Sequence, residues 1–116
     1  MKTRPQYEGY EDFRMLHMRW DISKAWDLVE RDEIEHRRGE VDVTAAAGML
    51  WMIGIDRDYL EMMDETDLEY PLLITHIEDV GNLIIDGWHR VAKGLELGIT
   101  MLPCVYLVND DKVRTS

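Results

Sequence analysis

The chain has 116 residues, enough for one compact domain, and 46% of them are hydrophobic, which is typical of a folded protein. Its 24 acidic and 13 basic residues give a net charge of -11, which argues against a protein that coats DNA, since such binding neutralises phosphates with Lys and Arg. The single cysteine excludes an internal disulfide, and no apolar run approaches the roughly 18 residues of a membrane span. We therefore expect a cytoplasmic protein without membrane contact.

The first part of the chain carries weak signals. Residues 1–12 are mostly polar and are predicted to form an N-terminal arm. Partial alternation of apolar and polar residues in 13–20 predicts a single strand, with Leu16, Met18 and Trp20 on one face. The folded domain is therefore expected to begin at residue 13.

A helix is predicted next. Asp21 or Ser23 can cap it. Apolar residues then recur at helical spacing: Ile22, Trp26 and Val29. Gly39 would end the helix after 36–38, a His-Arg-Arg run whose charge suits the negative end of the helix dipole.

Two more helices are predicted before residue 70. Residues 42–54 are rich in apolar side chains and can be capped by Asp42 or Thr44, which predicts a buried helix. Asp56 can cap a short third helix. The window 56–69 holds seven acidic residues and one basic residue. This pattern is typical of a solvated face, and a binding surface for a basic partner is the alternative.

Strand patterns dominate the remaining sequence. Residues 72–74 follow a proline and predict a strand, and the continuous apolar residues of 82–86 predict a second strand that is buried on both faces. A helix over 88–97 and a strand over 101–108 complete the predicted domain. Residues 109–116 are predicted to be a polar C-terminal tail.

The corner between the second strand and its helix carries the candidate phosphate-binding residues: Asp86, Gly87, Trp88, His89 and Arg90, with Lys93 one turn later. Backbone N–H groups in the first turn of a helix lack intrahelical partners, and the helix dipole is positive there, so a phosphate group fits this position. The forked guanidinium group of arginine can also hold phosphate oxygens. Structural alternatives stay open: Asp86 can cap the helix, Arg90 can pair with a carboxylate, and Trp88 can pack.

This corner and its surroundings resemble the core of the ParB/sulfiredoxin superfamily. The resemblance runs through Tyr70-Pro71-Leu72-Leu73-Ile74, then Gly81-Asn82-Leu83-Ile84-Ile85-Asp86-Gly87-Trp88-His89-Arg90-Val91-Ala92, and then Leu97-Gly98-Ile99-Thr100-Met101-Leu102-Pro103-Cys104-Val105. Family members share, in this order, a proline-led strand, a strand ending in Asp/Gly-Gly-x-His/Arg-Arg, a helix, a Leu-Gly turn and a strand reached through a proline. The resemblance implies an α+β fold with a small mixed sheet packed by about four helices, spanning residues 13–108.

The corresponding loop of this family binds nucleotide phosphates. The resemblance therefore implies that Gly87, His89 and Arg90 contact phosphate, with ATP or CTP and Mg²⁺ as the bound cofactor. Trp88 stands where sulfiredoxins carry their reactive cysteine, and tryptophan cannot act as a thiolate, so no redox cofactor is expected. Carboxylates beside a phosphate can hold Mg²⁺, and the candidates are Glu69, Glu78 and Asp86. No catalytic residue is predicted.

Three functions stay open. The first is nucleotide or phosphate binding, with Mg²⁺-dependent hydrolysis of a nucleoside triphosphate or phosphoryl transfer. The second is a non-catalytic acidic interaction or inhibitor protein of a plasmid or phage, which would meet a basic partner through residues 56–69. The third is a ParB-like nuclease, which the charge balance makes the least attractive.

Overall fold

The computed structural model describes residues 12–15 and 17–115. The elements in chain order are β1 (Asp12–Met15), β2 (Met18–Asp21), α1 (Ile22–Glu30), β3 (His36–Asp42), a long 3₁₀ helix (Thr44–Met52), α2 (Arg57–Met62), a short 3₁₀ helix (Glu65–Glu69), β4 (Leu72–Ile77), β5 (Gly81–Asp86), α3 (Trp88–Leu97) and β6 (Met101–Leu107). Helices and strands share one domain, so the α+β class is as predicted. Among the described residues, no helix has the length and apolar character needed to cross a membrane.

The main sheet has the strand order β3-β6-β4-β5. β4 and β6 run parallel, while β3 with β6 and β4 with β5 are antiparallel, so the sheet is mixed. Apolar side chains cover both faces, with Leu73 and Ile85 in the core on the side of α1, and Leu72 and Ile84 in the core on the side of α3. This two-sided burial confirms the prediction for residues 82–86.

The predicted single strand over 13–20 is wrong. The chain instead forms an antiparallel hairpin of β1 and β2, in which Phe13 pairs with Trp20. Their rings lie 6.0 Å apart between centroids, and Trp20 is fully buried. Turning back lets both strands use their aromatic side chains on one core, which a single strand could not do. The predicted arm, except for Asp12, and Leu16 lie outside the described residues.

Helix α1 begins as predicted but ends early. The side chain of Asp21 caps it by accepting a hydrogen bond from the Lys24 amide at 2.9 Å. The predicted end at Gly39 is wrong, because the helix stops at Glu30 and Asp32 takes a left-handed backbone with φ of 55°. The His-Arg-Arg run then belongs to β3, where it pairs with the end of β6.

The predicted buried helix over 42–54 is also wrong. Residues Thr44–Met52 form the long 3₁₀ helix, and none of its residues is buried. Asp42 does start the turn, since its carboxylate accepts a hydrogen bond from the Thr44 amide at 2.9 Å, although the N-cap position itself is Val43. An apolar segment thus lies on the outside of the domain. In α2 the predicted cap is confirmed, because the carboxylate of Asp56 accepts hydrogen bonds from the first amides of that helix.

The segment after β6, which the sequence predicts as a polar tail, turns back onto the domain over its described part. Val113 is fully buried, and its carbonyl accepts a hydrogen bond from the Asp21 amide at 2.9 Å. The buried carboxylate of Asp110 accepts hydrogen bonds from Trp20 Nε1 at 2.7 Å and Thr75 Oγ1 at 3.0 Å. The chain therefore closes around the β1–β2 hairpin, which holds α1 against the sheet.

Candidate functional site

Helix α3 begins at Gly87, whose backbone is left-handed with φ of 103°. Glycine is needed for two reasons: a side chain is strained at this φ, and a Cβ would collide with a methyl carbon of Leu72. Because Gly87 has no side chain, it offers no capping acceptor to the first amides of the helix. The start of α3 therefore combines N–H groups that lack a side-chain cap with the positive end of the helix dipole.

This first turn forms one wall of an open groove with a volume of about 410 Å³, within the range of small-molecule sites. The other walls come from β1, from the segment that includes α2, and from the hydrophobic residues beneath. All residues of the predicted corner line the groove: Asp86, Gly87, Trp88, His89 and Arg90. We call it the α3 groove. Its lining also includes Asp12, Asp56 and Asp67, which the sequence reasoning did not place there.

The guanidinium group of Arg90 is buried at the base of the α3 groove, with 4% of its side chain exposed. Nη1 donates hydrogen bonds to the backbone carbonyls of Tyr70, at 2.9 Å, and Pro71. Nη2 lies 3.4 Å from the carboxylate of Asp86, so the alternative that Arg90 pairs with a carboxylate is confirmed. These bonds connect the start of α3 to the start of β4, and they use the guanidinium donors that were predicted to hold phosphate.

Asp86 does not cap α3. Its carboxylate accepts a hydrogen bond from Trp26 Nε1 at 2.8 Å, and the same oxygen faces the guanidinium group of Arg90. Trp26 is fully buried in α1, so Asp86 connects the helices on the two faces of the sheet. Its side chain is 12% exposed. The charges of Asp86 and Arg90 thus offset each other beneath the groove.

His89 is held as a neutral ring. Its Nε2 accepts a hydrogen bond from the Asp56 amide at 2.9 Å, which places the ring hydrogen on Nδ1. Burial lowers the pKa of His89, the carboxylate of Asp56 opposes that shift, and the charge of Arg90 adds to it. Tyr59 packs edge-on against the ring, with 5.1 Å between centroids. His89 therefore fixes α2 beside α3 and brings no positive charge at neutral pH.

The other two predicted residues have structural contacts. Trp88 is buried, and its Nε1 donates a hydrogen bond to the Ile84 carbonyl at 2.9 Å, so the ring packs in the core instead of facing a base. Lys93 does not line the α3 groove and forms an ion pair with Glu96 at 3.3 Å. The pKa of Asp64 is lowered, mainly by the hydrogen bond from the Thr66 side chain, and Lys93 adds a small effect.

The α3 groove is rich in carboxylates that already serve the fold. Asp12 forms an ion pair with Arg19 at 2.7 Å. Asp56 uses Oδ1 to cap α2, and Asp67 uses Oδ2 to accept a hydrogen bond from the Asp64 amide at 2.9 Å. With Asp86, these side chains make the groove acidic, although its helix terminus favours an anion.

The predicted magnesium ligands do not come together. Of the three, Asp86 lines the α3 groove, whereas Glu69 and Glu78 do not. Glu78 follows β4, and in the β4–β5 hairpin that turn lies at the end opposite to Asp86. No group of three or more His, Cys, Asp or Glu side chains that could hold a metal is found in the described part of the chain.

Comparisons with family models, with curated protein sequences and with solved structures gave no match to this chain. Function is therefore inferred from the groove itself. Asp56 carried a helix-capping signal in the sequence and Asp67 belonged to the acidic window, but neither pattern indicates which groove a residue will line. Asp12 stood at the end of the predicted arm and gave no signal.

Proposed function

We propose that the α3 groove binds a phosphate-bearing ligand, most simply a nucleotide. The observation that supports this most directly is the start of α3, where Gly87 leaves the first amides without a side-chain cap and the residues of the first turn line the groove. Such a helix terminus suits phosphate because its N–H groups and its dipole both favour negative charge. The resemblance of residues 70–105 to the ParB/sulfiredoxin superfamily supports the same proposal, since the corresponding loop of that family binds nucleotide phosphates.

The groove suits a phosphate ligand that carries a divalent cation better than it suits a bare phosphate. Asp56, Asp67 and Asp86 would repel a bare phosphate, and each of the first two uses one carboxylate oxygen in capping, which leaves its other oxygen for a cation. Mg²⁺ in proteins needs only one or two carboxylates when phosphate oxygens supply further ligands. The cation would neutralise charge between the ligand and the groove.

We propose that the groove binds its ligand, and we assign no catalytic step to it. Among the described residues of the groove, His89 is the neutral base nearest the start of α3, and its Nε2 lone pair is used by the Asp56 amide. Arg90, which could have stabilised transferring phosphate, is bonded to two carbonyls and to Asp86. We therefore assign the phosphate contacts to the amides of Trp88 and His89.

Calorimetric titration of the full chain with CTP, ATP and inorganic phosphate, each with and without Mg²⁺, tests the proposal. We expect Mg²⁺ to tighten nucleotide binding. Asp56→Asn keeps an N-cap residue for α2 because asparagine caps as well as aspartate. Removing this charge should tighten metal-free binding by about fivefold, the effect of one unit charge at about 4 Å in water, and should reduce the gain from Mg²⁺.

Asp79→Asn is the matched control. It removes the same charge at the β4–β5 turn, away from the groove, and asparagine tolerates the left-handed backbone there, where φ is 67°. The control should bind like the unchanged protein. Absence of binding for all three ligands, or equal effects of the two substitutions, would contradict the proposal.

A further inference from the structure

Large apolar side chains are exposed along the segment 51–62. Trp51, at the end of the long 3₁₀ helix, is 82% exposed, and Met62 of α2 is 83% exposed. The chain has four tryptophans, and the other three are buried: Trp20, Trp26 and Trp88. Exposed apolar surface of this kind, grouped on neighbouring elements, marks interaction sites in folded proteins.

Beside Trp51 lies a second groove, with a volume of about 550 Å³, between the end of the long 3₁₀ helix, α2 and α3. Its apolar lining residues are Leu50, Trp51, Ile53, Ile55, Leu60 and Ala92. We call it the Trp51 groove. It shares Ile53 with the α3 groove but none of the candidate phosphate-binding residues, so it is a different site.

Charge around the Trp51 groove selects the occupant. Inside it, Arg57 and Glu96 carry opposite charges and neither sign prevails. Helix α2 forms one wall of this groove through Arg57 and Leu60, and the same helix carries the exposed Asp58 and Glu61 of the acidic window 56–69. An apolar groove beside a helix with exposed carboxylates complements a segment that is apolar on one face and basic on the other.

We propose that the Trp51 groove docks an amphipathic, positively charged helix of a partner protein. The apolar face of that helix would cover Trp51 and Leu60, and its Lys and Arg side chains would lie along the acidic residues of α2. Tryptophan is among the residues whose removal weakens interfaces most, and methionine adapts to different partners. The proposal does not rest on phosphate binding.

Two synthetic peptides of about five helical turns test it. One has Leu at positions i, i+3, i+4 and i+7 with Lys elsewhere, and the other has Glu in place of every Lys. Calorimetry with the full chain should show that the Lys peptide binds, more weakly at high salt, and that the Glu peptide does not. Acrylamide quenching should report that the Lys peptide shields Trp51, because the other three tryptophans are already buried.

Trp51→Ser should weaken binding of the Lys peptide by at least about tenfold. Its matched control is Val80→Ser, which removes an exposed apolar side chain at the β4–β5 turn and should change nothing. Asp58→Asn with Glu61→Gln should weaken binding by about fivefold, because each of the two exposed ion pairs contributes about two- to threefold, while Asp79→Asn leaves it unchanged.

Five results would overturn the proposal. Equal binding of both peptides would show that charge does not select the partner. Equal loss in Trp51→Ser and Val80→Ser, or no binding of either peptide, would show that the groove is not the docking site. Trp51 shielding that grows with protein concentration would assign the groove to a second copy of the chain. Shielding in the free protein at every concentration would assign it to the chain's own residues.

Discussion

Replacing Arg90 by alanine tests whether this residue is structural. Its guanidinium group bonds to the carbonyls of Tyr70 and Pro71 and to the carboxylate of Asp86, and its side chain is only 4% exposed. The substitution would leave two carbonyls without their donor and an Asp86 carboxylate, 12% exposed, without its cation. The Asp86 carboxylate would keep its hydrogen bond from Trp26 Nε1, but its charge would stay largely buried without the cation that makes this burial tolerable.

The expected loss is about 3–5 kcal/mol, the usual effect of removing one partner of a buried ion pair. The total stability of such a domain is about 5–15 kcal/mol, so Arg90→Ala would lie close to the folding threshold. With a urea m-value of about 1.5 kcal/mol/M, the unfolding midpoint should fall by about 2–3 M. Arg90→Lys should lose part of the same stability, since an ammonium group lacks the forked donors.

Urea unfolding followed by circular dichroism measures this loss. The control is Arg31→Ala, which removes an exposed arginine whose ion pair with Asp27, at 3.2 Å, has the same i,i+4 spacing. That exposed pair should contribute about 0.5 kcal/mol or less. If Arg90→Ala cost no more stability than Arg31→Ala, the Arg90 guanidinium group would not stabilise the junction of β5 and α3, and the assignment of Arg90 as a structural residue would be refuted.

Three further predictions concern the same framework. Gly87→Ala should lower the free energy of unfolding in urea by about 2–4 kcal/mol. Gly81→Ala has a similar φ but open space around its Cβ, so it should lower that free energy by only about 1–2 kcal/mol, and equal losses would refute the predicted clash. Because burial lowers the pKa of His89, the unfolded chain binds a proton there more readily, so stability should fall as pH drops below 6.5. His89→Gln cannot titrate and should lose this part of the pH dependence; if the variant kept the same pH profile of stability, the assignment to His89 would be contradicted. Asp110→Ala leaves buried Trp20 Nε1 without its acceptor and should cost about 2–3 kcal/mol by the same assay, whereas a neutral effect would show that the C-terminal segment does not hold the hairpin.

The second half of the fold was predictable because its signals are local and agree with one another. Strands β4 and β5 are runs of continuous apolar residues, and α3 lies between two glycines that both take positive φ, Gly87 and Gly98. Each element therefore begins at or next to its predicted position. The corner residues were found by the same means.

The first half could not be predicted because its structure depends on distant partners. The basic run in β3 resembles a helix C-terminus, yet its seven-residue strand is fixed by pairing with β6. The apolar residues of the long 3₁₀ helix resemble a core helix, but the fold covers them only in part: Ala46, Met49 and Leu50 pack against the core while Trp51 and Met52 are exposed. Asp110 and Val113 lie in a segment that is mostly polar in sequence, yet both are buried, where Asp110 accepts a hydrogen bond from Trp20 and the Val113 carbonyl accepts one from the Asp21 amide.

The candidate site divides in the same way. The position of the site was predictable from Gly87 and the strand before it, whereas the hydrogen-bond partners of its side chains were not. The sequence shows that Arg90 and His89 are near a helix start, but not that the Tyr70 carbonyl and the Asp56 amide would occupy them. Those partners are set by chain segments that approach only in the folded protein.

Amide chemical shifts report directly on phosphate binding in the α3 groove. In ¹H–¹⁵N spectra of the full chain titrated with CTP and Mg²⁺, and with inorganic phosphate, we expect the largest shifts at the amides of Trp88 and His89. These shifts should saturate together and report one site. Unchanged shifts at the start of α3, or larger ones elsewhere on the domain, would contradict phosphate binding in the α3 groove.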